Sequence, residues 1–256
     1  MFDTHAHVHV SAFDEDRDAM LARAAAAGIT RIMTIGTDLA DSARARDVAL
    51  ERDLDYAIGI HPHEATGAPA DIGTAFDALV AGAARPPRAI GEMGLDYYYD
   101  HSPRDVQRAV LATQVRYARE HDYPAVFHQR DAFDDFVEAL RRDAGDALRG
   151  VVHCFTGDAD QARLLVGEFG LALGIGGVVT FKTAENVRDA VRAVGLGAIV
   201  LETDCPYLAP IPHRGKRNEP AFMASTAAFV AKLLDVAEAD VVARTTANAR
   251  ALFGAA

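Results

Sequence analysis

Short apolar runs recur along the chain about every 30 residues. They are FDTHAHV (2–8), ITRIMTIG (29–36), DYAIGIH (55–61), RAIGEMGLD (88–96), PAVFHQR (124–130), RGVVHCF (149–155), LALGIGG (171–177) and AIVLETD (198–204). Their length and β-branched content predict eight strands. Between them lie Ala-, Arg- and Asp-rich stretches with apolar positions at helical spacing, such as DVALERD (47–53) and VQRAVLATQVRYAREH (106–121). Buried strands alternating with helices predict a parallel α/β sheet with helices packed on it. Eight such units predict a closed (β/α)8 TIM barrel, and an open doubly wound sheet is the rival arrangement. No linker, low-complexity tract or exact repeat interrupts the 256 residues, so one domain over 1–256 is expected.

Composition narrows the class. Half the residues are hydrophobic and a quarter are charged, which suits a globular core that needs no disulfide staples. The two cysteines, Cys154 and Cys205, make no disulfide framework; each follows a candidate ligand and is expected on the opposite strand face as a buried hydrophobe. No apolar run approaches the roughly 18 residues of a membrane span, and MFDTHAHVHV lacks the pattern of a signal peptide. A cytoplasmic protein, monomeric or weakly oligomeric and without a membrane partner, is expected. The formal net charge of −11 repels polyanions at long range. Any anionic partner must be held locally, by metal ions or a small cationic cluster.

Barrels place their chemistry at the C-terminal ends of the strands. Histidines recur there: His5 and His7 in the first run, His61 closing the third, His128 in the fifth and His153 in the sixth. Glu92 in the fourth run and Asp204 ending the eighth join them. One such histidine is ordinarily a satisfied core residue. Several imidazoles with two carboxylates at one mouth need a partner, since their burial otherwise costs several kcal/mol. Divalent metal supplies that partner. His5 and His7 are two residues apart on a strand and project from one face. Asp3 shares the face and reads either as a support fixing a histidine tautomer or as a strand-start residue bonding local backbone. Glu202 stands in the same relation to Asp204. The six candidates His5, His7, Glu92, His128, His153 and Asp204 exceed one ion with an open site, so two ions with a shared carboxylate are expected. Lys182, Lys216 and Lys232 all lie off the predicted strands, which leaves Glu92 as the bridge and excludes a Schiff-base aldolase.

These motifs resemble the TatD family of metal-dependent hydrolases, within the amidohydrolase-like barrels, from end to end. The resemblance is carried by DTHAHV (3–8), GIHPHEA (59–65), AIGEMGLDYY (89–98), HQRDAFDD (128–135), HCFTG (153–157), TFKTAENVRDAV (180–191) and LETDCPYLAPIPHRGKRNEP (201–220). It implies a first metal held by His5, His7, Glu92 and Asp204, and a second held by Glu92, His128 and His153. Thr156 stands where the family commonly has serine and Thr183 where it has asparagine; neither is a ligand. The resemblance implies a deoxyribonuclease, commonly a 3′–5′ exonuclease on single strands, with two divalent ions (Mg²⁺, Mn²⁺ or Zn²⁺) as cofactors and a DNA end as substrate.

A local basis for phosphate binding is present. Arg214, Lys216 and Arg217 crowd the loop after the eighth run, and Lys182 follows the seventh, where barrels often bind phosphate. The alternative is a solvated charged loop. Tyr97, Tyr98 and Tyr99 read as a stacking surface for a terminal base or as rim packing. His61 is a candidate contact to the scissile group or to a labile third ion; His63 reads as structural. The expected reaction is phosphodiester hydrolysis by a bridging hydroxide, with Glu92 positioning the ions and Asp204 moving the proton. Hydrolysis of another ester, such as that of a D-aminoacyl-tRNA, uses the same ligands and is the alternative. A non-catalytic nucleic-acid binder would need a basic face that this chain lacks.

Overall fold

The computed structural model describes residues 1–145 and 148–254. All eight runs form strands: β1 (Phe2–Ala6), β2 (Arg31–Ile35), β3 (Asp55–Ile58), β4 (Ala89–Asp96), β5 (Ala125–Arg130), β6 (Gly150–Val152), β7 (Ala172–Ile175) and β8 (Ile199–Leu201). The helices are α1 (Arg17–Ala26), α2 (Leu39–Glu51), α3 (Ile72–Val80), α4 (Arg104–Glu120), α5 (Phe133–Asp143), α6 (Ala159–Phe169), α7 (Glu185–Val194), α8 (Met223–Leu234) and α9 (Glu238–Phe253). The strands follow sequence order through the sheet, β1 to β8. A doubly wound sheet would reverse that order at a switch point, so the rival arrangement falls. The fold is of the (β/α)8 class.

Two compact units make up the chain. The first, Met1–Thr34 with the chain from His153 onward, contains β7, β8, β1 and β2. β7 pairs with β8 in parallel (Leu173 beside Ile199), and β1 with β2 (Phe2 beside Arg31). The last strand also meets the first: Thr4 Oγ1 donates to Leu201 O at 3.1 Å and Asp204 N to His5 O at 2.8 Å. An open sheet lacks that contact. Helix α6 is delimited by its own sequence, with an Asp158–Gln161 capping box at the start and Gly170 in the left-handed region (φ 65°) at the end.

The second unit, Ile35–Val152, contains β3 to β6, paired in parallel in that order. All eight residues of β4 are buried. Gly94, at φ 155°, faces the carbonyl of His128 on β5 so closely that a Cβ there would collide with it. Val110, Leu111, Val115 and Ala118 of α4 are buried at the three- and four-residue spacing of a helix face. On β5, Phe127 packs edge-on against Phe136 of α5, ring centroids 5.3 Å apart.

Several strands end sooner than the apolar runs suggest. β1 stops before His7, β3 before His61, β6 before His153, and β8 before Glu202 and Asp204. Cys154 (φ 45°) and Asp204 (φ 56°) occupy the left-handed region, which a continuing ladder does not allow. Cys154 is therefore half-buried in a turn, not on the apolar face of a strand as expected, whereas Cys205 is buried.

Candidate metal centre

In the first unit, β1 and the segments after β6 and β8 bring His5, His7, His153, Glu202 and Asp204 together. His5 is fully buried, and its ring stacks on that of His153 with centroids 3.7 Å apart. Ligand-capable atoms of His5, His153 and Glu202 all lie within 4.8 Å of one another. Asp204 Oδ1 is 3.5 Å from His7 Nε2 and 3.9 Å from His5 Nε2. Desolvation opposes ionisation of Asp204, but the His7 hydrogen bond and the charge of His153 and His5 outweigh it and hold the carboxyl below its usual range.

Glu202 lies 3.6 Å from His153 Nδ1 through its Oε1, which accepts the Cys154 N–H at 2.5 Å. Its Oε2 is buried and finds no hydrogen-bond partner among the described residues. An acceptor left in that state beside two imidazoles fits a cation, and nitrogen with carboxylate oxygen is a donor set that divalent ions take. Asp3 reaches beyond the two roles expected of it. It accepts from Thr203 N (3.0 Å) and Thr203 Oγ1 (2.7 Å), and so ties β1 to the segment that carries Glu202 and Asp204. Burial pushes its carboxyl up to about 8 against those bonds. The local-backbone reading holds in part, since Asp3 Oδ1 also accepts the His5 N–H at 3.4 Å, but the shorter bonds go to Thr203, from the far end of the chain. Asn218 completes the tie by donating to Thr203 O (2.8 Å) and Tyr207 O (2.6 Å), a role not read from sequence.

In the second unit His61, Glu92 and His128 form another group, their ligand-capable atoms again within 4.8 Å. Glu92 Oε1 is 2.9 Å from His128 Nδ1 and 3.5 Å from His61 Nε2. His61 Nδ1 accepts the His63 N–H at 3.1 Å, which assigns the ring proton to Nε2 on the Glu92 side. Burial drives the His61 pKa down to about 4 despite Glu92, so a neutral, donating ring faces that carboxylate. On the far side of His128, Nε2 is 2.9 Å from Asp96 Oδ2, which also meets His63 Nε2 at 3.0 Å. Burial alone would raise Asp96; hydrogen bonds from His128 and the Tyr99 backbone dominate and lower it. With Nε2 engaged there, the His128 nitrogen offered toward Glu92 is Nδ1. Asp96 was absent from the sequence reading, although it lies four residues after Glu92 on one strand and therefore on the same face.

The family model for TatD-related DNases matches residues 2–254 of the chain. The chain belongs to the TatD family. Its relatives include the uncharacterised metal-dependent hydrolase YabD of Bacillus subtilis, 38% identical over 99% of this chain and 98% of that protein. The 3′-5′ ssDNA/RNA exonuclease TatD of Klebsiella pneumoniae is 33% identical, over 99% and 98%. The crystal structure of YjjV, a TatD homologue of Escherichia coli, superposes with a TM-score of 0.92 at 28% identity, covering 100% of this chain and 98% of that one. The protein is a metal-dependent hydrolase.

The expected phosphate contacts divide. Lys182, Arg214 and Lys216 are exposed, and the Arg214 guanidinium lies 3.9 Å from the centre of the Phe181 ring, beside Lys182. Arg217 belongs to the scaffold: both terminal nitrogens meet Asp16 at 2.8 Å, one also donates to Ala12 O at 2.6 Å, and the guanidinium covers Phe13. A guanidinium held twice by one carboxylate has its charge already engaged, whereas Lys182, Arg214 and Lys216 have no such partner among the described residues. Of the three tyrosines, Tyr97 is fixed by Asp135 and Arg108, while Tyr98 and Tyr99 are exposed.

Proposed function

We propose that this TatD-family hydrolase is a divalent-metal-dependent exonuclease that removes nucleotides 3′ to 5′ from single-stranded DNA. The observation that carries the reading is the clustering of ligand-capable histidine and carboxylate side chains within each unit, His5, His153 and Glu202 in one and His61, Glu92 and His128 in the other. One structural ion needs one group; phosphoryl displacement commonly employs two ions. The ligand assignment follows the resemblance and not this grouping, leaving out Glu202 and His61: His5, His7, Glu92 and Asp204 would hold one ion, and Glu92, His128 and His153 the other. When bound, such ions polarise phosphoryl oxygens and acidify water.

Asp204 is the proton acceptor, because it is ionised and flanked by His7. As water oxygen bonds to phosphorus, its proton passes to Asp204, the bond from phosphorus to the leaving sugar oxygen breaks, and that oxygen takes up a proton. His61, neutral and donating through Nε2, orients an acceptor without adding charge. Lys182, Arg214 and Lys216 hold a phosphate away from the reacting one.

End-labelled single-stranded DNA and a D-aminoacyl-tRNA, assayed in parallel with and without chelator, test the reading. DNA should shorten only with metal, and Glu92→Ala should lose more than about 100-fold in rate together with bound metal. Full activity in Glu92→Ala removes the shared-carboxylate assignment. Cleavage of the aminoacyl ester with DNA left intact identifies a different ester as substrate.

A further inference from the structure

We propose that Arg130, Tyr98 and Tyr99 form a nucleotide subsite that takes an unpaired base on the tyrosine rings and its phosphate on the guanidinium. The proposal rests on the nuclease reading above and names the feature that makes the substrate a single strand.

Strand β5 carries both His128 and Arg130. Two residues apart, they project from the same face, with Arg130 roughly 6–7 Å nearer the strand's C-terminal end. That displacement is on the scale of one nucleotide step. The Arg130 guanidinium lies 3.9 Å from the Tyr98 ring centre and 4.9 Å from that of Tyr99. Neighbouring arginines are neutralised, Arg104 by Asp100 and Arg108 by Asp135. Arg130 meets no carboxylate among the described residues, in a chain where acids outnumber bases 37 to 26. A cation left without a counter-ion in such a protein is placed for an anion from outside.

The rings beside it reach solvent, although the guanidinium covers part of Tyr98 and His101 stacks on Tyr99 with centroids 5.5 Å apart. Tyr98 is 57% exposed and Tyr99 50%, although aromatic surface of that size is ordinarily buried. They are also held in position. Asp96 Oδ1 accepts the backbone N–H of Tyr98 (3.1 Å) and of Tyr99 (2.9 Å), while Oδ2 of the same carboxyl engages His128. One carboxylate therefore sets the rings against the candidate ligand, and the order is established before anything binds. Stacking of a base on an aromatic ring, assisted by arginine, is the usual means of holding single strands without reading sequence. A duplex has its base faces already covered.

The test is equilibrium binding to the full-length protein in EDTA, where no turnover occurs. Anisotropy compares a short 5′-labelled single strand with one whose 3′-terminal nucleotides are abasic. Wild type should bind the intact strand about tenfold more tightly. Tyr98→Leu with Tyr99→Leu should bring the ratio close to one, and Tyr98→Trp should keep it. Arg130→Gln should weaken both strands and reduce the salt slope by about 0.7. Equal binding by wild type, or an unchanged ratio in the leucine variant, overturns the subsite. Base preference without cleavage on adding metal would leave the subsite standing and remove the nuclease reading; cleavage without base preference does the reverse.

Discussion

Asp96 organises four groups with two oxygens: two imidazoles on one and two backbone N–H donors on the other. Its amide isostere supplies one acceptor oxygen, so Asp96→Asn must release either the rings or the tyrosine turn. The expected result is metal affinity at the His128 position reduced by about 10- to 100-fold with the fold intact, measured by metal titration against circular dichroism. Unchanged affinity would make Asp96 a turn residue only. Asp3 shows the same economy in the other unit, where one carboxylate binds both the backbone and the hydroxyl of Thr203.

Among the elements, β4 is under the tightest constraint, because it runs beside β5 while carrying Glu92 and Asp96. Gly94 makes that approach possible: its φ of 155° disfavours any Cβ, and a Cβ would meet the His128 carbonyl. Gly94→Ala is expected to destabilise the protein by about 2 kcal/mol or more and to displace His128. Chemical denaturation and metal content measure the two effects, and a variant as stable as wild type with full metal would show that β5 yields easily. The strand ends were harder to read than the strands. Apolar runs continue through His153 and toward Asp204 in the sequence, but backbone in the left-handed region stops the ladder. Left-handed backbone at Cys154 and Asp204 follows β6 and β8, so periodicity overestimates those two strands where the candidate ligands begin.

For the whole molecule, the proposed nuclease function would make net charge govern substrate capture. At −11 the long-range field opposes a polyanion, and among the expected contacts Arg217 is already spent on Asp16. Lys182, Arg214 and Lys216 remain, and the proposed Arg130 contact joins them. Two to four phosphates engaged on a single strand give a log K against log [salt] slope of about −1.5 to −3. Lys216→Glu should flatten that slope, whereas Arg217→Glu should chiefly lower the melting temperature by breaking the contact with Asp16. A slope steeper than about −6 would require an extended cationic groove.

The order and number of strands, the alternation with helices and the His/carboxylate positions were all legible in the sequence. Each is a local property of the chain: strand burial shows as continuous apolar runs, and the candidate ligands recur in motifs at or just past the strand ends. The tertiary structure decided which polar groups neutralise one another. Arg217 and Arg130 look alike in sequence, yet one faces Asp16 across 201 residues and the other faces two exposed rings. Likewise Asp3 and Asp96 took their partners, Thr203 and the His128–His63 pair, from strands and loops distant along the chain. A charge's function depends on what lies within a few ångströms of it, and only folding sets those neighbours.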